Sequence, residues 1–346
     1  MKRSTFGQKG KRPLRLRRRK PFIVYAIRGY AVMILLWLLL RTVFQDSIWW
    51  LALINSYAVW LFVPVPLLLL SGILRKAGKR ALLWLLIPLL VFAFLYGHLF
   101  WFNGRGDEGS AGYLLTAMSY NILFSNQEFD AIADEIRAAN ADIVGLQEVT
   151  SEQAIALERV LGDEYPFFYR PDTGRRNNAA LMSKFPIEQM IAIDFPPRQL
   201  ALHAVVTVDE QPVHVFVTHL MPNQLAQLDE DQALSAKARD RFNFRLVEVT
   251  NLQLEMERIA DPVLLLCDCN LTDTSWAYGR LDEFLDDSFA EAGWGLGHTG
   301  LIPYLPFPTY RIDYVWHSQQ FTAVSATRGN RAGSDHLPVI ATLSLR

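Results

Sequence analysis

Three long apolar stretches open the chain, near residues 22–44, 48–70 and 81–102, and the pattern changes after residue 112. Each stretch has about the 20 residues that a helix needs to cross a bilayer, and none has the polar face of a soluble helix. Trp49, Trp50, Tyr96 and Trp101 stand near their ends, at the depth expected of interfacial aromatics. Arg28 lies close enough to the start of the first stretch to reach the polar side, and Pro64, Pro66 and Pro88 are tolerated in membrane helices. Beyond residue 112, short apolar runs at 113–118, 143–146, 179–182, 263–270, 312–316 and 338–343 read as strands. Runs at 204–208 and 213–217 flank Glu210, Gln211 and Pro212 as a hairpin. Phe129, Ile132, Ala133 and Ile136 recur at helical spacing, and 231–260 favours helix. Hairpins among βα units predict a mixed-sheet α/β domain with helices covering the sheets.

Charge gives the apolar stretches a direction. The net charge of −1 hides two opposite parts: residues 1–102 hold 16 of the 34 Lys and Arg but one acid, Asp46, and the remainder carries about −16. Ten of the basic residues fall in 2–20. In the first loop Arg41 is balanced by Asp46, whereas the second carries Arg75, Lys76, Lys79 and Arg80. The positive-inside rule then predicts a cytoplasmic N-terminus, an outer first loop and an inner second loop. The third stretch exits outward, so the acidic domain faces away from the cytoplasm at the plasma membrane. A cleaved signal peptide is the weaker reading, because no small-residue cleavage site follows the first stretch and two more stretches do. The expected organisation is a basic tail (1–21), three membrane helices (22–102), a glycine-rich linker (103–112) and a folded domain (113–346). Orienting the helices is role enough for the tail, without a separate affinity for nucleic acid or anionic lipid.

The candidate chemistry gathers around VLLLCDCN at 263–270. A buried strand that ends in Asp268 and Asn270, two residues apart, points both side chains the same way. An Asx turn closing the strand is the plain alternative. Yet Asn121, Glu148, His219, Asp313, Asp335 and His336 also sit at or beside the ends of apolar runs. Asp313 alone would read as an ion-pair partner of Arg311, and His219 alone as a satisfied core histidine. Burying a lone carboxylate costs several kcal/mol, so several at strand ends make sense if they converge on a cation and an anionic substrate. Oxygen donors of this kind suit Mg²⁺. The only cysteines, Cys267 and Cys269, lie i, i+2 on one strand face, a poor geometry for a disulfide; they are expected to be unpaired and buried.

The ordered set MSYNIL (118–123), DIVGLQEV (142–149), NNAALMSKFPI (177–187), VTHL (217–220), CDCN (267–270), RIDYVW (311–316) and GSDHLPVIATL (333–343) resembles the endonuclease/exonuclease/phosphatase, or DNase I-like, superfamily. The resemblance covers almost all of residues 113–346. It departs at Cys267, where the family usually has glycine before its Asp-x-Asn motif. It implies a four-layer α/β sandwich with its site where the central sheets open, and metal-dependent hydrolysis of a phosphate ester with Mg²⁺, or Mn²⁺ in its place. Carried over by position, Glu148 is the principal metal ligand, with Asn121 and Asp335 nearby. Asp268 positions or deprotonates the attacking water, Asn270 holds a phosphate oxygen, and His219 contacts the phosphate or leaving group. His336, oriented by Asp313, stabilises the developing charge, and Asn178 in the third motif and Trp294 near the mouth are candidate substrate contacts.

Two features bear on the substrate. An acidic domain works against binding a nucleic acid, although Arg170, Arg175 and Arg176 form a local basic cluster that reads equally as a solvated face. A membrane anchor favours a lipid headgroup or another phosphodiester outside the cytoplasm. Trp294, Tyr304 and Phe307, in the segments 293–300 and 301–307, are expected at the mouth, against substrate, against lipid or packing a loop. The expected protein is therefore a membrane-anchored phosphodiesterase, with a membrane-anchored nuclease as the second reading. A non-catalytic binding module is disfavoured by the full residue set, and a transporter by the scarcity of ionisable groups within the apolar stretches. The expected partners are the substrate and the bilayer; no obligate protein partner is evident.

Overall fold

The computed structural model describes residues 21–101, 112–172, 178–195, 199–222, 234–302 and 305–346. The tail at 1–20, the expected linker apart from Gly112, Arg175 and Arg176, residues 231–233 of the expected long helix, and Tyr304 lie outside the described residues.

Two six-stranded mixed sheets form the centre of the C-terminal domain. One runs in space as Phe321–Arg328, Val339–Leu345, Tyr113–Asn121, Ile143–Val149, Asn178–Ser183 and Phe167–Tyr169. The other runs Ile187–Phe195, Gln199–Val208, Gln211–His219, Val263–Asp268, Asp313–His317 and Asp286–Asp287. Their facing sides bury Leu115, Ile143, Leu181, Val215, Leu264, Leu266 and Leu343. The outer side of the first sheet packs with Ile132, Ile136, Leu157 and Leu161, from the helices Phe129–Ala139 and Ser151–Leu161. Val249, Leu252, Met256 and Leu281, from the helices Leu234–Met256 and Trp276–Asp282, cover the outer side of the second. The result is the four-layer α/β sandwich. At Gly145 the two sheets come so close that a Cβ would sit 2.7 Å from the Leu266 side chain.

Local signals explain where the elements stop. Thr150 and Gln153 form a reciprocal capping box at the start of Ser151–Leu161, so this helix begins immediately after the Glu148 strand. Asn140, in the left-handed region at φ 46°, closes Phe129–Ala139. The cysteine expectation is corrected: Cys267 and Cys269 form a disulfide with Cα atoms 5.0 Å apart. The regular strand ends at Asp268, between the two cysteines, and the chain there is no longer fully extended, so the pair falls in a normal Cα range.

Phe22–Phe44 and Lys79–Phe100 are each long and apolar enough to cross a membrane. The second of the three expected spans, 48–70, is bent: Trp49–Ser56 and Ala58–Leu74 meet at 74°, so the described residues hold two spans, or three if the bent pair crosses as one. Asn55 sits at the bend, where its polar groups find partners in protein rather than lipid. The Asn55 side chain accepts from Trp37 Nε1 at 3.1 Å and donates to Asp46 Oδ1 at 2.8 Å, while its carbonyl accepts from Thr274 Oγ1 at 2.6 Å. The Ala58–Leu74 arm, roughly 25 Å long at 1.5 Å per residue, is at the short end of what crosses a bilayer core.

The short Trp49–Ser56 helix lies against the C-terminal domain, with Ala52 packed on Ala238 and Phe242. Further hydrogen bonds close this seam. Trp276 N donates to Asp46 Oδ2 at 2.6 Å, Arg41 Nε to the Thr274 carbonyl at 3.2 Å, and Gly295 N to the Leu99 carbonyl at 2.8 Å.

Candidate active site

Strand register assembles the site. His219 lies beside Asp268 across a parallel pair, and Asp268 beside Asp313 across an antiparallel pair, so three strand ends present a row His219–Asp268–Asp313. Neighbouring strands are about 4.8 Å apart, which sets the pitch of the row. The facing sheet delivers Asn121 and, one residue past its partner Gln147, Glu148. Glu148 occupies the bulge between Leu146 and Val149 at φ 61°, a conformation that costs a non-glycine residue energy. A regular strand would send this side chain to the face opposite Gln147 within the pleat; the bulge re-aims it.

The side chains close into one network. Asn121 Nδ2 donates to Asp268 Oδ2 at 2.9 Å, and His219 Nε2 lies 3.3 Å from the same oxygen. His336 Nδ1 is 2.9 Å from Asp313 Oδ2, and its Nε2 faces Asp268 Oδ2 at 3.8 Å. Glu148 Oε2 accepts from Phe124 N at 3.2 Å, while Oε1 stands 3.8 Å from His219 Nδ1. Asn270 donates from Nδ2 to the Leu220 carbonyl at 3.0 Å, and its backbone N donates to Asp268 Oδ1 at 3.2 Å. Asn121, Asp268, Asn270 and Asp313 are buried, His219, His336 and Glu148 partly so, and Asp335 is exposed beside His336.

One ligand atom each of Asp268, Asp313 and His336 lies within 4.8 Å of the others. Two like charges at that separation repel by roughly 3 kcal/mol at an effective dielectric near 20. Burial alone would push the His336 imidazole down, but Asp313 and Asp268 outweigh it and raise it to about 10. The ring is therefore an imidazolium at neutral pH, held by Asp313 with Nε2 towards Asp268. The site still holds more carboxylate than imidazolium charge, and hard oxygen donors converge on it from both sheets. That donor chemistry fits a divalent cation bound through oxygen.

Asn121, Glu148, His219, Asp268, Asn270, Asp313 and His336 thus come together, with Asp335 at their edge. The two expected substrate contacts have partners of their own. Asn178 is buried opposite Val149 and donates to the Pro171 carbonyl at 3.0 Å, tying down the segment before the third motif. Trp294, 62% exposed, meets Phe100 edge to face at the end of Lys79–Phe100.

Supporting residues went unread in the sequence. Thr299 Oγ1 accepts from Ile312 N and Asp313 N, each at 3.2 Å. Ser334 donates to the Asn121 carbonyl at 2.7 Å and accepts from His336 N at 3.0 Å, joining the Asn121 strand to the His336 loop. Gln153 Nε2 donates to the Leu123 and Asn126 carbonyls, each at 2.9 Å, fixing the turn that carries Phe124. Arg245 and Glu248 clamp Met221, two residues past His219, through its carbonyl at 3.0 Å and its N–H at 2.9 Å. Burial pushes Arg245 down to about 10 and Glu248 up to about 7. Ser334 lies within a quoted motif and Thr299 two residues from one glycine pair, but only the folded register reveals what they hold.

The sequence model of the Endonuclease/Exonuclease/phosphatase family matches residues 118–336, a span that contains every member of the network. Among solved structures, the chain is similar to an endonuclease/exonuclease/phosphatase from Bacteroides vulgatus, with 20% identity and TM-score 0.54 over 68% of this chain and 100% of that one. TDP2 from Caenorhabditis elegans aligns with 18% identity and TM-score 0.56 over 78% of this chain and 88% of that one. A mannosyl-6-phosphatase from Bacteroides thetaiotaomicron aligns with 20% identity and TM-score 0.50 over 67% and 100%. No curated protein sequence matches the chain.

Proposed function

This chain belongs to the endonuclease/exonuclease/phosphatase family, and from that premise we propose that it is a membrane-anchored phosphodiester hydrolase that works outside the cytoplasm with a divalent cation, Mg²⁺ or Mn²⁺. The observation that carries the proposal is the Asp313–His336–Asp268 row facing Glu148 and Asn121 across the opening between the sheets. Glu148, with Asn121 and Asp335, would hold the cation, which when bound supplies charge to polarise the phosphate.

The chain's own groups divide the remaining work. Asp268, fixed by Asn121 and by Asn270 N–H, orients the attacking water and accepts its proton. His336, charged and locked by Asp313, offers Nε2–H to the oxygen on which charge develops. Asn270 lies beside Asp268 to hold a second phosphate oxygen, and His219 to protonate the leaving oxygen. The acidity of the domain, about −16 beyond residue 102, favours this reading over a nuclease.

The full-length chain in lipid nanodiscs is expected to hydrolyse bis(4-nitrophenyl) phosphate with Mg²⁺ or Mn²⁺ and to stop when EDTA is added. Turnover unchanged by chelation would refute the cation's role, and no turnover with either metal would refute the hydrolase. For sidedness, protease added outside sealed right-side-out vesicles is expected to digest the domain beyond residue 112 and spare the tail. Digestion only after the vesicles are opened would reverse the orientation.

A further inference from the structure

We propose that the enzyme's substrate is a phosphate ester carried by a lipid, taken from the bilayer surface through a mouth one wall of which is the bent apolar segment 49–74. This deepens the reading above and rests on it.

A continuous path links the charged row to the membrane-facing helices. Gly300 bridges to His336 across the strand end, and Leu301 N donates to the Asp335 carbonyl at 3.0 Å. The Tyr310 ring lies on Gly300, where a Cβ would meet it at 2.6 Å, so the absence of a side chain lets the ring reach the edge of the site. On its other side Tyr310 meets Tyr57 edge to face, with centroids 5.7 Å apart, at the break in the apolar segment. One residue back along the strand, the Thr309 carbonyl accepts from Trp60 Nε1 at 3.0 Å. The aromatics Tyr310, Tyr57 and Trp60 therefore run from the site to the head of Ala58–Leu74.

The lip beside this path is apolar and exposed. Leu305 and Phe307, 39% and 47% exposed, lie between Leu301 at the site and Thr309 at Trp60. Trp294 extends the same character along the seam, against Phe100 at the end of the other long helix. The spans already tether the domain, so tethering gives these side chains no reason to be apolar. Continuity with the helices that enter the bilayer gives one: a lip of aromatic and aliphatic side chains sits at headgroup depth and admits an ester whose acyl part stays in lipid. In the reaction, the water oxygen forms the new P–O bond and the bond from phosphorus to the leaving alcohol oxygen breaks. That oxygen departs with a proton.

The test compares two substrates on the full-length chain reconstituted in phosphatidylcholine vesicles. One is water-soluble bis(4-nitrophenyl) phosphate; the other is a panel of phosphatidylglycerol, phosphatidylinositol and sphingomyelin presented in the vesicles. At least one panel lipid is expected to be cleaved. Phe307→Asp is expected to lower that cleavage about tenfold, with Phe307→Leu restoring it and the soluble ester turned over within about twofold of the parent rate. The inference is overturned if the soluble ester is hydrolysed and no panel lipid is. It is equally overturned if Phe307→Asp leaves lipid cleavage intact, or lowers both substrates alike. Failure with the soluble ester as well would refute the hydrolase itself, a separate outcome.

Discussion

His336→Gln is expected to lower kcat on bis(4-nitrophenyl) phosphate by roughly 10³ while KM changes little, because one preorganised donor at a developing charge is worth about 10²–10³ and here the donor is also charged. Glutamine keeps an N–H of similar reach but no charge, so the loss separates the imidazolium from a simple hydrogen bond. Asp313 is the reason that the ring is an imidazolium: its carboxylate is 2.9 Å from Nδ1, and with Asp268 it raises the ring to about 10. Asp313→Asn should therefore repeat most of the loss, and the double variant should be little worse than either, as expected of groups acting as a unit. The raised value also means that no loss from this ring occurs between pH 6 and 9; its contribution fades only as the pH climbs through about 10. Stopped-flow or steady-state kcat across that range checks both statements. A His336→Gln loss below about tenfold would remove the imidazolium from the chemistry.

How much of this was legible in the chain differs by residue. Asp268 could be read directly, since a buried carboxylate demands a partner. Asn270 lies past the strand end at φ 50° with its N–H closing an Asx turn on Asp268, so strand alternation does not set its direction. The mixed-sheet α/β class with helices over the sheets could be read from the strand and helix periods, whereas the four layers followed only from the family resemblance. Register was not legible. Nothing local in VTHL, CDCN or RIDYVW says that His219, Asp268 and Asp313 will stand in one row; the pairing across three strands decides it. The bend in the second apolar stretch was not legible, for a physical reason. Its composition averages to a span, while Asn55 finds partners elsewhere in the protein that a hydropathy average ignores.

The cysteine pair misled for a reason of its own. An i, i+2 spacing forbids a disulfide only if the strand stays extended, and here it ends between the two residues. Trp294 shows what loop position leaves open: the segment was expected near the mouth, against substrate, lipid or a packed loop, and its ring meets Phe100 at the seam with the apolar helices. That seam was invisible to a reading that treated helices and domain as separate units. Its polar contacts, such as Asp46 to Trp276 N, join residues 230 apart in sequence.

Glu148→Gly is expected to abolish Mg²⁺-dependent turnover, by at least roughly 10³, while making the protein more stable by about 0.5–1 kcal/mol. The two effects have one origin. Glu148 sits at φ 61° in a strand bulge, a left-handed conformation that costs a residue with a Cβ roughly 1–2 kcal/mol and glycine almost nothing. Glycine returns part of that gain through the extra entropy of the unfolded chain, and the Phe124 N–H loses its acceptor. Against those losses, one negative charge leaves a site where Asp268 and Asp313 already repel each other. Glu148→Gln retains the strain and removes only the charge, so it should lose turnover to a similar extent without the full gain in stability. Urea unfolding with EDTA present measures the stability of each form free of metal linkage, and calorimetric Mg²⁺ titration measures what the carboxylate contributes to binding. A Glu148→Gly protein less stable than the parent would show that the bulge is held by side-chain contacts rather than tolerated for aim. Unchanged Mg²⁺ affinity would move the cation to the Asp268, Asp313 and His336 side of the cleft.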